Sequence, residues 1–138
     1  MDVYSTSNLA ETSSANKDLK GKIVLAVDDS KDILALTKAV LTKAGAKVIV
    51  CHEPLEALEI LTAGKVDLLV CDLQMPTISG PDLLVKAREA GYKGAAIAVT
   101  GLPEDQVIKS GHKFDFSCYL TKPFNFEVMQ RLAYELTH

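Results

Sequence analysis

Tryptophan is missing from this 138-residue chain, and its three cysteines, Cys51, Cys71 and Cys118, form no CxxC spacing. An odd number of thiols set in or beside apolar runs points to small core residues, not to a metal cage or a disulfide framework. That usage fits a reducing, cytoplasmic setting. No stretch of about 18 apolar residues occurs, so no membrane-spanning helix is expected. The N-terminus also lacks the basic and apolar blocks of a secretory signal. Runs of Lys or Arg are absent too: the net charge is −3, which offers no phosphate-tracking surface for DNA or RNA.

Apolar residues are plentiful, at 48% of the chain. At this length they suffice for one domain that buries roughly 68–70% of its unfolded surface without staples. Residues 1–20 are the exception, crowded with Ser, Thr and Asn. They offer too little apolar area to offset the entropy of ordering them, which predicts a flexible polar lead, with the folded domain over 21–138.

From Lys22 onward, short β-branched runs at 22–27, 46–51, 66–71, 95–99 and 116–121 alternate with stretches of helical spacing. Five βα units and a parallel sheet are expected, an α/β fold. Ser30 suits the cap of a first helix with Ile33, Leu34, Thr37, Val40 and Leu41 on its apolar stripe, stopped by Gly45. Pro54 to Gly64 reads as a second helix, Gly80-Pro81 to Gly91 as a third, and Phe124 to Leu136 as the last. The stretch 103–110 has only Val107 and Ile108 as large apolar residues. It predicts a short, mobile helix.

The ends of the apolar runs carry the chemistry. Asp28-Asp29 ends the first, Asp72 the third, Thr100 the fourth and Lys122 the fifth. In a doubly wound sheet, ligands bind at the carboxyl ends of the strands, beside the point where strand order reverses. Two like charges about 4 Å apart repel by roughly 4 kcal/mol at an effective dielectric of 20, so clustered carboxylates need a cation or must hold protons. An all-oxygen acidic site open to water suits Mg²⁺. With the metal and Lys122 neutralising charge, one carboxylate can act as nucleophile toward a phosphoryl group, and the Thr100 hydroxyl can bond to it. Taken singly, each feature has a plainer reading. Asp28-Asp29-Ser30 is an ordinary helix-capping turn, Asp72 a turn residue, Lys122-Pro123 a strand stop, and Tyr119 a core aromatic. Their joint occurrence in order is what favours a site.

The segments Val27-Asp28-Asp29-Ser30, Cys71-Asp72-Leu73-Gln74-Met75-Pro76 with Gly80, Ala98-Val99-Thr100-Gly101 and Tyr119-Leu120-Thr121-Lys122-Pro123-Phe124 resemble the response-regulator receiver domains of two-component phosphorelays. The resemblance spans residues 22 to about 136. It implies a flavodoxin-like, doubly wound (βα)5 fold with a five-stranded parallel sheet in the order 2-1-3-4-5. It further implies Asp72 as phosphoacceptor. Mg²⁺, or Mn²⁺, would be held by Asp28, Asp29, Asp72 and the backbone carbonyl of Gln74. Thr100 and Lys122 would bind the phosphoryl group, with Tyr119 as an aromatic switch that turns inward with Thr100. A histidine kinase or histidine phosphotransfer protein is the implied donor, docking on Ile33, Pro123 and Phe124, and a downstream protein is the implied target. The stretch 113–118 departs from the small Gly-Ala pattern common before the aromatic residue in such domains, which bears on the output face.

Two other function classes stand beside this one. An aspartate-nucleophile phosphatase of the Asp-x-Asp type is disfavoured because Gln74 occupies the place of its second acid. A phosphate-independent binding module is disfavoured because every catalytic-type position is filled. A chain ending at His138, just after the last helix, suggests a single-domain regulator or the receiver portion of a hybrid kinase. A sharp turn that aims Lys122 back at the site predicts a cis peptide before Pro123.

Overall fold

The computed structural model describes residues 18–102 and 116–138. Five strands, β1 (Ile23–Val27), β2 (Lys47–Cys51), β3 (Leu68–Asp72), β4 (Ala95–Thr100) and β5 (Cys118–Thr121), form one sheet in the order β2-β1-β3-β4-β5. All four pairings are parallel. Four helices lie among the described residues: α1 (Lys31–Lys43), α2 (Pro54–Thr62), α3 (Gly80–Glu89) and α4 (Phe126–Thr137). The expected helix at 103–110 and most of the expected polar lead, residues 1–17, fall outside the described residues.

Strand alternation explains the two cores. Leu25, Val27, Leu69, Cys71, Ala96 and Ala98 face one side of the sheet with the apolar faces of α2 and α3. Val24, Leu68, Val70, Ile97, Cys118 and Leu120 face the other, against α1 and α4. A strand buried on both faces reads as a continuous apolar run, and β3 is buried at all five positions. All three cysteines are free and buried, as the composition implied.

Two expected boundaries shift. The packed body begins before residue 21: Leu19 is fully buried, its N–H donates to the Ala44 carbonyl at 2.8 Å, and its own carbonyl accepts from Lys22 N–H at 2.9 Å. One leucine in a polar segment gives no periodic signal, yet it plugs the base of the α1/α4 core. The last helix starts at Phe126, two residues later than the expected Phe124. Asn125 caps it in an extended conformation, its side-chain oxygen accepting from Val128 N–H at 3.0 Å.

At the amino edge of the sheet, the Asp67 carboxylate accepts from Ile23 N–H at 2.8 Å. The Arg88 guanidinium there donates to the carbonyls of Tyr92 and Gly94 at 3.1 and 2.6 Å. These bonds fix where β1, β3 and β4 begin, and so where their far ends fall.

Candidate functional site

Strand order reverses between β1 and β3, and the acids sit there. Asp28 follows β1, Asp72 closes β3, and register places Asp72 beside Val99 and Thr100 beside Thr121. Local bonding aims each group. Ser30 caps α1 by accepting from Ile33 N–H at 3.3 Å, while its own N–H donates to Asp28 Oδ1 at 2.9 Å. Asp72 Oδ1 accepts from Gln74 N–H at 3.2 Å. Lys122 N–H donates to the Thr100 carbonyl at 2.7 Å, and the Lys122-Pro123 peptide is cis, as expected.

Carboxylate oxygens of Asp28, Asp29 and Asp72 all lie within 4.8 Å of one another. Asp28 and Asp72 are buried and Asp29 is exposed, so the cluster opens to water on the Asp29 side. Lys122 Nζ reaches in from β5, 2.9 Å from Asp28 Oδ2 and 3.4 Å from Asp72 Oδ2. Burial raises the Asp72 carboxyl above the usual range; the Gln74 N–H and Lys122 oppose that rise, and the charge of Asp28 adds to it. For Lys122, burial alone pulls the ammonium down, but its hydrogen bond and charge contact with Asp28, joined by Asp72, outweigh burial and hold it above the usual lysine range. One ammonium faces three carboxylates, leaving the cluster short of positive charge. An all-oxygen, three-carboxylate donor set with an open side matches a hard divalent cation such as Mg²⁺.

The family model of the response regulator receiver domain matches residues 24–133. The chain belongs to the response regulator receiver family. Transcriptional regulatory protein CpxR of Escherichia coli (strain K12) is 36% identical over 104 residues, 74% of this chain and 43% of that protein. Transcriptional regulatory protein YvrH of Bacillus subtilis (strain 168) is 38% identical over 104 residues, again 74% of this chain and 43% of the relative. The chain thus spans less than half the length of these curated relatives. Among solved structures, the receiver domain of the Francisella response regulator 1452 superposes with a TM-score of 0.76 at 27% identity, covering 85% of this chain and 97% of that one.

Within this receiver domain the sequence-expected residues distribute unevenly. Asp28, Asp29, Asp72 and Lys122 come together as described, with Gln74 two residues beyond Asp72 and exposed. Thr100 is buried at the end of β4, its hydroxyl oxygen accepting from Leu102 N–H at 3.1 Å. Tyr119 already lies inside, 8% exposed, its ring 6.0 Å from that of Phe116. The expected inward swing of Tyr119 therefore has no outward starting point in this state. Of the expected docking residues, Ile33 is half-buried and Pro123 exposed. Phe124 is a correction: it is 6% exposed and packs in the α1/α4 core, while Phe126, with its ring 6.1 Å away, is 50% exposed. The Asn125 cap sets the start of the helix, with residue 124 facing inward and residue 126 outward.

Sequence pattern does not explain why residue 80 is glycine. A Cβ there would fall 2.2 Å from the Asp72 carbonyl oxygen and 3.0 Å from Leu73 Cα. The start of α3 rests directly on the main chain of Asp72, and Gly80 N–H donates to the Leu73 carbonyl at 3.0 Å. The Gly80-Pro81 pair signals a helix start, but not what it abuts. Among the described residues, no helix is long and apolar enough to cross a membrane.

Proposed function

We propose that Asp72 accepts a phosphoryl group from the phosphohistidine of a kinase or phosphotransfer partner. The observation that carries this reading is the meeting of Asp28, Asp29 and Asp72 within 4.8 Å around the Lys122 ammonium, at the carboxyl edge of the sheet. An Asp72 carboxylate oxygen attacks phosphorus, an O–P bond forms as the N–P bond of phosphohistidine breaks, and the electron pair returns to the imidazole nitrogen. Asp28, Asp29, Asp72 and the Gln74 carbonyl would hold Mg²⁺ or Mn²⁺, which supplies neutralisation of charge on the transferring oxygens. Lys122 is the protein's own contribution to that neutralisation. Thr100 then donates its hydroxyl to the new group, and the change passes to a protein target through the face that includes β5 and the last helix, α4. Ile33 and Pro123, with Phe126 in the place expected of Phe124, offer the donor protein an apolar contact beside the site.

The reading is that of a signalling domain that catalyses its own modification. The phosphatase alternative finds no second acid at Gln74. Labelling with acetyl phosphate, with and without Mg²⁺, tests the proposal. Stoichiometric, Mg²⁺-dependent label on Asp72 supports it, while continuous turnover of acetyl phosphate or no label in either condition refutes it.

A further inference from the structure

Thr37 stands out on the inward stripe of α1. Its neighbours there, Leu34, Val40 and Leu41, are apolar core, and Thr37 is only 2% exposed. Two other helical threonines return their hydroxyl to the backbone: Thr62 Oγ1 donates to the Leu58 carbonyl at 2.7 Å and Thr137 Oγ1 to the Ala133 carbonyl at 2.7 Å. The Thr37 hydroxyl makes no such bond with any described residue, and because no buried side-chain nitrogen or oxygen among them lacks a partner, its oxygen is open to the space beside it. It lines a small pocket instead. Ile33, Leu34, Val70 and Val99 form the apolar walls, and Asp28 and Asp72 line the same space. The free volume is about 10 Å³, which is about what one water molecule needs.

Both carboxylates have acceptor capacity to spare. Each carries roughly four lone-pair sites, and Asp28 and Asp72 each show one backbone N–H and the shared Lys122 ammonium as partners. An apolar pocket of this size stays dry, whereas one with a hydroxyl at one side and carboxylates at another gives a water two or more polar partners.

We propose that Thr37 is a positioning residue: its hydroxyl holds a water that donates to the Asp28 or Asp72 carboxylate from beneath, fixing that carboxylate for Mg²⁺ and phosphoryl transfer. The inference rests on the phosphoacceptor reading above. Thr37 touches no reacting atom. It acts through the water, much as outer-shell partners orient metal ligands, where loss of one costs on the order of tenfold or more in affinity or activity.

The test compares wild type with Thr37→Val, which keeps the shape and removes the hydroxyl, and Thr37→Ser, which keeps the hydroxyl and removes a methyl. Mg²⁺ affinity is read from amide shifts, and the rate of acetyl phosphate labelling is measured at saturating Mg²⁺. Thr37→Val is expected to remain folded and to lose on the order of tenfold in one or both quantities, with Thr37→Ser staying within about twofold of wild type. Equal behaviour of Thr37→Val and wild type overturns the proposal, and so does equal impairment of both variants, which would mark packing as the cause. Failure of the underlying reading looks different: wild type would bind Mg²⁺ and take no label, and the Mg²⁺ affinities of the two variants would still decide the role of Thr37.

Discussion

Lys122 sits nearer to Asp28 than to Asp72, at 2.9 Å against 3.4 Å. The ammonium is therefore already engaged, and under the proposed transfer it would have to share or exchange Asp28 to bind a phosphoryl group. Charge-assisted bonds contribute roughly 1.5–3 kcal/mol each, so bonds from Lys122 and Thr100 together give at most about 3–6 kcal/mol. That upper bound is comparable with the about 5.5 kcal/mol that carries a two-state population from 1:99 to 99:1. Since Lys122 leaves an existing partner, the net gain is smaller, and only a modest resting bias can be reversed.

Replacing Asp72 with Asn is expected to abolish labelling by acetyl phosphate, because an amide is a poor nucleophile and brings no anionic oxygen to the metal. Asp29→Ala should leave the fold intact, since residue 29 is exposed, while removing most of the rate and its Mg²⁺ dependence. Label on Asp72→Asn at the wild-type level would disprove the assignment of the acceptor.

Lys122→Met should destabilise the protein by on the order of 1–3 kcal/mol, because it leaves the buried carboxylates of Asp28 and Asp72 without their cation. Mg²⁺ should restore more stability to this variant than it adds to wild type. Urea titrations with and without millimolar Mg²⁺ measure both effects, and equal Mg²⁺ gains in the two proteins would contradict the charge argument.

Gly80→Ala is expected to cost at least about 2–3 kcal/mol, since its methyl would meet backbone that cannot rotate away. Gly64→Ala is the control. That glycine has φ +85° and nothing within 4 Å of the place a Cβ would occupy, so only local strain of about 1–2 kcal/mol applies. Thermal unfolding should rank the variants in that order, and Gly80→Ala alone should slow labelling.

Stability should fall above pH 9. Burial pushes the Cys118 thiol from its ordinary 9.0 up to about 12, so the folded state keeps a proton that the unfolded state releases. Below pH 9 both states are protonated and the stabilisation is complete. Between pH 9 and 12 it declines by about 1.4 kcal/mol per pH unit. Cys71 and Tyr92, raised mainly by burial, act in the same direction. Cys118→Ala should make the alkaline decline shallower by one proton, as read from urea midpoints between pH 8 and 10.5.

Thr100→Ala should still accept the phosphoryl group at Asp72 and fail to pass the change onward. The Thr100 hydroxyl oxygen now accepts from Leu102 N–H, a bond that turning toward a phosphoryl group would disturb. Amide shifts of residues 116–124 with and without beryllofluoride provide the comparison. The same shift changes in Thr100→Ala and wild type would show that the hydroxyl does not carry the signal.

The sequence discloses the site more fully than it discloses the packing around it. Acids closing apolar runs are legible because strand ends in a parallel sheet are marked by an abrupt change of polarity, and Asp28, Asp72, Thr100 and Lys122 all fall where that change occurs. Leu19 escapes a reading by pattern because one apolar side chain has no period. The inward turn of Phe124 escapes it because that turn depends on a cap one residue later, at Asn125. Thr37 fits the apolar stripe of α1 by position alone; that it lines one pocket with Asp28 and Asp72 is visible only in the folded chain. The contact of Gly80 with Asp72 joins residues eight apart through a loop whose path no local pattern specifies.

That contact also bears on where a change at the site can be accommodated. With the main chain of Asp72 packed against Gly80, bulk and charge added to the Asp72 carboxylate under the proposed chemistry would press on α3 through a backbone contact that has no room to close further. Displacement is then expected across the site, where the Thr100 hydroxyl accepts a single hydrogen bond from Leu102 N–H and Lys122 spans two carboxylates. Under the proposed chemistry, a reporter placed on α3 at the exposed Val85 should stay quiet, and one beyond Thr100 should respond.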